Sequence, residues 1–205
     1  MTQNDIIGLA LSYAYAFGLL GLAEGIRKWR GYSQVFTRKL VHIGAGMWVW
    51  PTLALFDTWV IGIVPFGTFI IMNYIFYRYT FFKAMDTEDS TPGTVYFSFS
   101  ITLLYALLWR PEGPNDWSVV ATGGIMAMTW GDALASIVGQ RWGRRGYKVW
   151  GHRRTWEGSA TMLIVSFAAL LITLLALPGS SLSPTAEALT LSAALPAAVL
   201  AAVVA

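Results

Sequence analysis

Residues 130–159 read WGDALASIVGQRWGRRGYKVWGHRRTWEGS, and they separate two long apolar runs. This stretch holds six of the fourteen basic residues of the chain, repeated glycines and two acids, Asp132 and Glu157. Nowhere else does the sequence concentrate polar chemistry so strongly. We therefore expect the stretch to form a site for nucleotide phosphates and a metal ion at a membrane surface.

The composition predicts an integral membrane protein. Only 12% of the 205 residues are charged and 56% are hydrophobic, whereas a soluble domain carries about 25% charged residues. The chain has no cysteine, which excludes disulfides and thiolate-bound metals. Its two histidines leave little room for a metal held by imidazoles.

Seven apolar runs approach the roughly 20 residues that a helix needs to cross a bilayer. They are residues 6–26, 40–56, 59–76, 95–109, 117–138, 160–177 and 186–205. We predict an all-α fold, a polytopic integral membrane bundle of about seven transmembrane helices forming one domain over residues 1–205. The last run has no basic or polar tail after it, so we expect that C-terminal sequence is missing.

The basic residues predict the orientation in the membrane. With seven spans, thirteen of the fourteen basic residues fall in connections on one side, and Arg110 alone lies on the other. Basic loops stay in the cytoplasm. The N-terminus is therefore predicted to lie outside, and residues 130–159 to lie inside, at a bacterial inner membrane or its equivalent.

Two carboxylates are candidates for catalysis and for metal binding. Burying Asp132 in an apolar helix costs about 2.5–3.5 kcal/mol on insertion scales, so it needs a partner, and Arg141 or Arg144 would serve as well as a ligand. Glu157 suits the positive end of a helix that Thr155 or Ser159 can cap. Alternatively, Asp132 and Glu157 together hold Mg²⁺, which takes carboxylate oxygens alongside substrate phosphates.

The basic, glycine-rich segment between these acids, residues 139–154, is predicted to be a loop and is a candidate polyphosphate site. Arginine offers forked donors to phosphate oxygens, glycines let backbone N–H groups approach an anion, and a helix N-terminus follows. The alternative is an anchor that binds anionic lipids. The candidate phosphate ligands in this part of the chain are Arg145, Lys148, Arg154, Thr155, Gly158 and Ser159.

A second basic group opens the second predicted helix on the same side of the membrane. Arg38 and Lys39 precede His42, which lies three residues after Lys39 and shares its side of the helix. These residues either complete the phosphate clamp or act as a membrane anchor and a packed helix residue. Two further expectations concern structure alone: an interhelical hydrogen bond from Asn73 and an ion pair between Glu24 and Lys28.

Residues 86–96 combine an acidic turn with the start of the fourth predicted helix. They form either a solvated turn or a flexible loop that covers the lipid headgroup. The candidates for headgroup contact are Gly93, Thr94 and Tyr96.

Four motifs give the chain a family resemblance: RKLVH at 38–42, GTVY at 93–96, GDALASIVGQRWG at 131–143 and RTWEGS at 154–159. They resemble the CTP-dependent lipid kinases, a family that includes phytol kinase, dolichol kinase and a diacylglycerol kinase, and the phytol kinase branch is most similar. The third motif adds Gly131, Ser136, Gly139 and Gly143 to the nucleotide-binding candidates. The family often has lysine where this chain has Arg153 or Arg154, and its members tend to continue past the last helix.

The resemblance implies transfer of a phosphoryl group from CTP, with a divalent metal such as Mg²⁺, to a long isoprenoid alcohol. The alcohol would be phytol, geranylgeraniol, farnesol or a dolichol-like lipid, with its tail among membrane lipids. One alternative is a cytidylyltransferase, which joins CMP to a lipid phosphate and releases pyrophosphate rather than CDP. Another is a transporter, although no repeat is visible. We expect no nucleic-acid partner, and the sequence leaves the oligomeric state open.

Overall fold

The computed structural model describes residues 1–82, 92–111, 116–149, 152–184 and 186–204. The chain divides into two compact units, Met1–Ala121 and Thr122–Ala205. Both units are mainly helical, and the expectation of one domain over the whole chain stays a prediction. The acidic part of the predicted headgroup loop, residues 86–91, lies outside the described residues.

The first unit begins with helix α1, Gln3–Arg30. Its start is fixed by a reciprocal cap: the Asp5 backbone N–H donates to the Thr2 hydroxyl, and the Thr2 backbone N–H donates to the Asp5 carboxylate. Its end is fixed by Gly31, whose φ of +65° is a left-handed conformation that glycine adopts without steric cost.

The described helices that follow in this unit are α2 (Gln34–Met47), α3 (Val49–Leu55), α4 (Trp59–Gly62), α5 (Val64–Tyr79) and α6 (Gly93–Leu108). Helix α1 packs against α2, α3, α4 and α5, and α6 packs against α5. The amide nitrogen of Asn73 on α5 donates to the Thr94 carbonyl at 3.3 Å and to the Ser98 hydroxyl at 2.9 Å, both on α6. This confirms the predicted interhelical hydrogen bond. The predicted ion pair of Glu24 with Lys28 is also present, at 3.7 Å.

The start of α1 is tied to the turn before α4. The Asp5 side chain is fully buried, and besides Thr2 it accepts hydrogen bonds from the backbone and the hydroxyl of Thr58, at 3.1 and 2.9 Å. Asp57 accepts from the Thr2 hydroxyl at 2.6 Å and from Asn4 at 3.2 Å. The hydrogen bonds to Asp5 offset the free-energy cost of burying its carboxylate.

In the second unit, the helix that begins at Trp156 packs against the other helices. Helix α7 (Ser118–Met126), which begins in the first unit, continues through a π-helical segment (Ala127–Gly131) into α8 (Asp132–Trp142). Strands β1 (Gly146–Val149) and β2 (His152–Thr155) then form an antiparallel hairpin, followed by α9 (Trp156–Ala176) and α10 (Leu191–Val204). Helix α9 packs against α8, the π-helical segment and α10, and Leu170 joins Ala127, Ala198 and Ala202 in a buried cluster.

The prediction of a helical membrane protein is supported, and the number of spans stays a prediction. Each of the seven apolar runs overlaps helical residues. Among the described helices, three are long and apolar enough to cross a bilayer, namely Gln3–Arg30, Trp59–Tyr79 and Trp156–Ala176.

The basic segment was expected to be a loop, and this expectation was wrong for the residues of the hairpin. Each strand has only four residues. Tyr147, Val149 and Thr155 suit a strand, but the arginines and glycines around them mask the alternating pattern by which a strand is recognised in sequence.

Candidate functional site

The close contact between the end of α8 and the first turn of α9 organises the candidate site. A Cβ atom added to Gly139 would lie 2.9 Å from the Thr155 hydroxyl oxygen, and one added to Gly143 would lie 2.6 Å from Thr155 Cγ2. A Cβ atom on Gly158 would lie 3.1 Å from the carbonyl oxygen of Ala135. Glycine at these three positions therefore lets the backbone of α8 approach the start of α9.

The start of α9 carries a cap and a carboxylate. The Thr155 hydroxyl accepts a hydrogen bond from the Gly158 backbone N–H at 3.2 Å, so Thr155 is the cap of the two that the sequence allows. Glu157, half-buried in the first turn, accepts the Arg145 backbone N–H at 3.4 Å to each carboxylate oxygen. The Trp156 backbone N–H donates to the Arg145 carbonyl at 3.0 Å. The segment before β1 is thus fixed to the helix start.

The hairpin is docked on the same turn of α9. The hydroxyl oxygens of Tyr147 and Ser159 lie 2.5 Å apart. The Tyr147 ring also packs against the Trp156 ring, with 5.1 Å between their centroids. The hairpin is thereby held beside the N-terminal end of α9, where backbone N–H groups give a partial positive charge.

The register of the hairpin distributes its cations over two faces. Lys148 pairs with Arg153, and Tyr147 pairs with Arg154. Because side chains alternate along a strand, Lys148 and Arg153 share one face with Gly146, and Arg154 lies on the other. Like charges directly opposite one another destabilise a hairpin, so an anion between Lys148 and Arg153 would relieve a repulsion that is built into the fold.

All six cations in residues 141–154 have exposed side chains. Arg145 is held by hydrogen bonds of its backbone N–H and carbonyl, and its side chain is exposed. Ser136, another candidate, accepts a hydrogen bond from Gln140 at 3.2 Å within α8. The exposed cations and the N-terminal end of α9 together make this end of the second unit strongly positive.

Asp132 lies at the start of α8, directly after the π-helical segment, and is half-buried. Thr129, three residues earlier, is fully buried, and its hydroxyl has no hydrogen-bond partner among the described residues. Gly131 between them packs against Met162 and Ser166 of α9. Single π-helical turns are frequent at functional sites, and an unpartnered buried hydroxyl is costly. Both features favour a ligand near Asp132.

Asp132 and Glu157 lie at different levels of the helix pair. Helices α8 and α9 run antiparallel, with Gly139 beside Gly158. Asp132 lies seven residues before Gly139 and Glu157 one residue before Gly158, so the two backbones are offset by about 12 Å at 1.5 Å per residue. Each Cα–Cβ bond tilts toward the N-terminus of its own helix, which turns the two side chains in opposite directions.

This offset bears on the predicted metal site. Mg²⁺ binds oxygens at about 2.0–2.1 Å, so two carboxylates on one ion must lie close together. The register argues against one ion shared by Asp132 and Glu157, although either carboxylate fits an ion that also binds phosphate. Among the described residues, no group of three or more His, Cys, Asp or Glu side chains is placed to hold a metal.

The first unit contains a pocket between α1, α2, α5 and α6. His42 lines it, with its ring 3.9 Å from that of Phe97, measured between centroids. Arg38 and Lys39, on the preceding turn of α2, are half-buried. The predicted clamp combines these residues with cations of the second unit, and it stays a prediction.

The headgroup candidates fall in different surroundings. Gly93 begins α6, and Tyr96 is 64% exposed. Thr94 lines the pocket together with His42. The Thr94 hydroxyl oxygen is buried and has no hydrogen-bond partner among the described residues. The structure therefore joins one candidate from each of two separate motifs in a single pocket.

Sequence reasoning missed the pocket itself. Its walls include Tyr15 and Trp48, whose rings stack at 4.2 Å between centroids, and the Trp48 N–H donates to the Ser12 hydroxyl at 2.9 Å. Polar residues such as Ser12 and Asn73 within apolar helices were the available signal. Such residues indicate that helices pack against one another, but they do not indicate that the packing leaves a cavity.

Comparison with known proteins identifies several relatives. The chain is 34% identical over 171 residues to a phytol kinase of Synechocystis sp., which covers 81% of this chain and 69% of the relative. It is 28% identical over 178 residues to a probable chloroplastic phytol kinase 3 of Glycine max, covering 80% of this chain and 53% of the relative. It is 27% identical over 179 residues to a chloroplastic farnesol kinase of Arabidopsis thaliana, covering 81% of this chain and 56% of the relative. The chain thus spans little more than half the length of these plant proteins. No family profile and no solved structure matches it.

Proposed function

We propose that this chain, which belongs to the phytol kinase family of lipid kinases, transfers the terminal phosphoryl group of CTP to the hydroxyl of a long isoprenoid alcohol. The observation that carries the proposal is the 34% identity to a phytol kinase over 81% of the chain. Because a farnesol kinase is also a relative, the acceptor is proposed as a class: phytol, geranylgeraniol, farnesol or a dolichol-like alcohol. The choice of CTP rests on the resemblance of the four motifs.

We assign the donor to the positive end of the second unit. The hairpin is fixed to the first turn of α9 by Tyr147 and Ser159. Lys148 and Arg153 stand opposite each other with like charge, and a helix N-terminus adds backbone donors for phosphate. Phosphoryl transfer needs mainly positioning and charge stabilisation from the protein, which is what such an arrangement supplies.

The two carboxylates take separate tasks in this proposal. In the transfer, the alcohol oxygen bonds to the terminal phosphorus, the bond to the leaving CDP breaks, and the hydroxyl proton passes to a carboxylate. We assign that proton to Asp132, because it lies about 12 Å from Glu157 along the helix pair, away from the hairpin and toward the apolar part of α9. Glu157 remains on the donor side.

In this proposal, a divalent ion is bound by one carboxylate together with the phosphates of the donor. Glu157 has the position for that role, in the first turn of α9 beside the hairpin. When bound, Mg²⁺ would neutralise charge on the transferred group. Binding between both carboxylates does not fit the helix register.

The proposed arrangement in the membrane follows from the separation between the donor site and the lipid acceptor. The alcohol tail stays among apolar helices and membrane lipids, while the hydroxyl meets the donor at the cytoplasmic face. The N-terminus is proposed to lie outside. This arrangement accounts for the concentration of cations in residues 141–154.

The test is an assay of the purified protein with CTP and Mg²⁺ against phytol, farnesol, undecaprenol and diacylglycerol. We expect phosphorylation of at least one isoprenoid alcohol and release of CDP. Phosphorylation of diacylglycerol alone would show that the acceptor belongs to another class of lipid. Pyrophosphate release with transfer of CMP to a lipid phosphate would replace the kinase by a cytidylyltransferase, and no lipid product with any nucleoside triphosphate would refute the proposal.

A further inference from the structure

We infer that the pocket of the first unit binds the isoprenoid alcohol, with its hydroxyl at Thr94 and its hydrocarbon chain along the apolar wall. This inference rests on the proposed function for the choice of lipid. It adds a binding site that lies in a different part of the chain from the hairpin and the two carboxylates.

The pocket has the lining of a small-molecule site. Its wall is mainly apolar and carries a few polar groups, as is usual for ligand pockets. Aromatic rings from three helices and the turn after α2 form much of the wall, including Tyr15, Trp48, Phe69 and Phe97. Such walls suit a branched hydrocarbon chain, which gains affinity from buried apolar area.

Several polar side chains line the pocket beside one another. Thr94 and Ser98 lie on the first turns of α6, and Asn73 of α5 contacts both. Asn73 uses its amide nitrogen to bind Thr94 and Ser98, so it holds α6 in place. Phe66 and Ile101 contribute to the apolar wall.

The Thr94 hydroxyl is the group that points to a ligand. Its oxygen is buried and has no hydrogen-bond partner among the described residues, although buried hydroxyls are nearly always paired. An alcohol can both donate to it and accept from it. Within the same residue, the carbonyl is already engaged by Asn73 at 3.3 Å, so the unpaired group is the side chain alone.

The lining also decides which class of lipid fits. Of the described residues that line the pocket, none is Lys, Arg, Asp or Glu. A phospholipid carries a phosphate that would need a charged partner when taken out of water. A neutral lipid with a single hydroxyl leaves no charge unpaired, and the isoprenoid alcohols have that chemistry.

The test uses a photoreactive farnesol analogue in the absence of nucleotide, with the labelled residues mapped by mass spectrometry. We expect labels on α1, α2, α5 or α6 at residues of the pocket, and displacement by phytol and farnesol. Diacylglycerol and phosphatidic acid are separate competitors, and displacement by them in place of the isoprenoid alcohols would contradict the inference.

Thr94→Val removes the hydroxyl and keeps the shape. It should weaken farnesol binding about three- to tenfold, the loss of one hydrogen bond, without lowering the unfolding temperature, because an unpartnered buried group is removed. A farnesol analogue without the hydroxyl should bind the wild type and the variant equally. Thr102→Val is the matched control: it lies on the same helix, its hydroxyl donates to the Ser98 carbonyl at 2.7 Å, and it should leave binding unchanged.

The outcomes separate this inference from the proposed function. Turnover of isoprenoid alcohols with labels elsewhere and no effect of Thr94→Val would overturn the pocket and leave the kinase assignment intact. Labels in the pocket, with binding sensitive to Thr94→Val but no phosphorylation by any nucleotide, would support the pocket and refute the kinase assignment. Equal weakening of binding by Thr102→Val would mean that the effect comes from helix packing, and the inference would fail.

Discussion

Gly139 on α8 and Gly158 on α9 lie in direct contact, since a Cβ atom on Gly158 would be 3.4 Å from the Cα of Gly139. This contact places the end of α8 beside the cap of α9, which Thr155 provides. It also sets the antiparallel register that separates Asp132 from Glu157. The positions of the cations proposed to bind the donor, and of both carboxylates, therefore depend on residues that have no side chain.

Gly143→Ala should destabilise the protein. The added Cβ atom would meet the Gly139 carbonyl and lie 2.6 Å from Thr155 Cγ2, and inserting an atom into a packed contact costs about 1–3 kcal/mol. Thermal unfolding in detergent measures the loss. Gly18→Ala is the control, because nothing lies within 4 Å of its added Cβ atom and alanine is favoured in a helix by about 0.5–1 kcal/mol. Equal destabilisation by both substitutions would contradict the close contact.

Tyr147→Phe and Ser159→Ala should each lower stability by about 0.5–1.5 kcal/mol, because both remove the same hydrogen bond. The double variant should cost little more than either single variant, since the shared bond can be lost only once. The ring contact of Tyr147 with Trp156 remains in the phenylalanine variant. Fully additive losses would show that the two hydroxyls do not act together. The measurement is a double-mutant cycle of unfolding free energies.

Much of the helical fold could be predicted from the sequence. Apolar length and basic connections locate the helices, and Thr155 or Ser159 predicts a cap at the start of α9. Asn73 could be assigned an interhelical bond because a polar group within an apolar helix needs a partner. These predictions succeed because each depends on a short stretch of chain.

The candidate site was only partly predictable. The sequence suggests Asp132 and Glu157 as a pair because both stand out chemically, but their spacing depends on how α8 and α9 pack. The hairpin was missed because its strands are short and one of them contains two consecutive arginines. The pocket was missed because Thr94 and His42 belong to motifs about 50 residues apart, and only the packing of four helices brings both to one cavity.

Lys148→Glu should move stability and donor binding in opposite directions. It replaces a like-charge pair with an opposite-charge pair across from Arg153, which should stabilise the hairpin by about 0.2–1 kcal/mol. It also removes a proposed phosphate ligand, so KM for CTP should rise. Arg141→Glu changes the same charge outside the hairpin and should not stabilise it. Tighter CTP binding by Lys148→Glu would contradict the proposed donor site.

Asp5→Ala should lower the stability of the first unit without changing the kinetics of the proposed reaction. The buried carboxylate accepts three hydrogen bonds, from the Thr2 backbone and from the backbone and hydroxyl of Thr58, and hydrogen bonds to a charged group contribute about 1.5–3 kcal/mol. The unfolding temperature should fall, with KM for CTP unchanged in the folded fraction. Asp57→Ala removes exposed bonds and should have a smaller effect. An effect of Asp57→Ala that exceeds that of Asp5→Ala would contradict this account.

The most direct test of the kinase assignment compares the wild type with Asp132→Asn and Glu157→Gln, using CTP labelled in its terminal phosphate and an isoprenoid alcohol as acceptor. The wild type should produce labelled alkyl phosphate. Asp132→Asn should abolish turnover while the protein stays inserted and folded, and Glu157→Gln should mainly raise KM for CTP. Near-normal kcat in Asp132→Asn, or no labelled lipid from the wild type with any isoprenoid alcohol, would contradict the account.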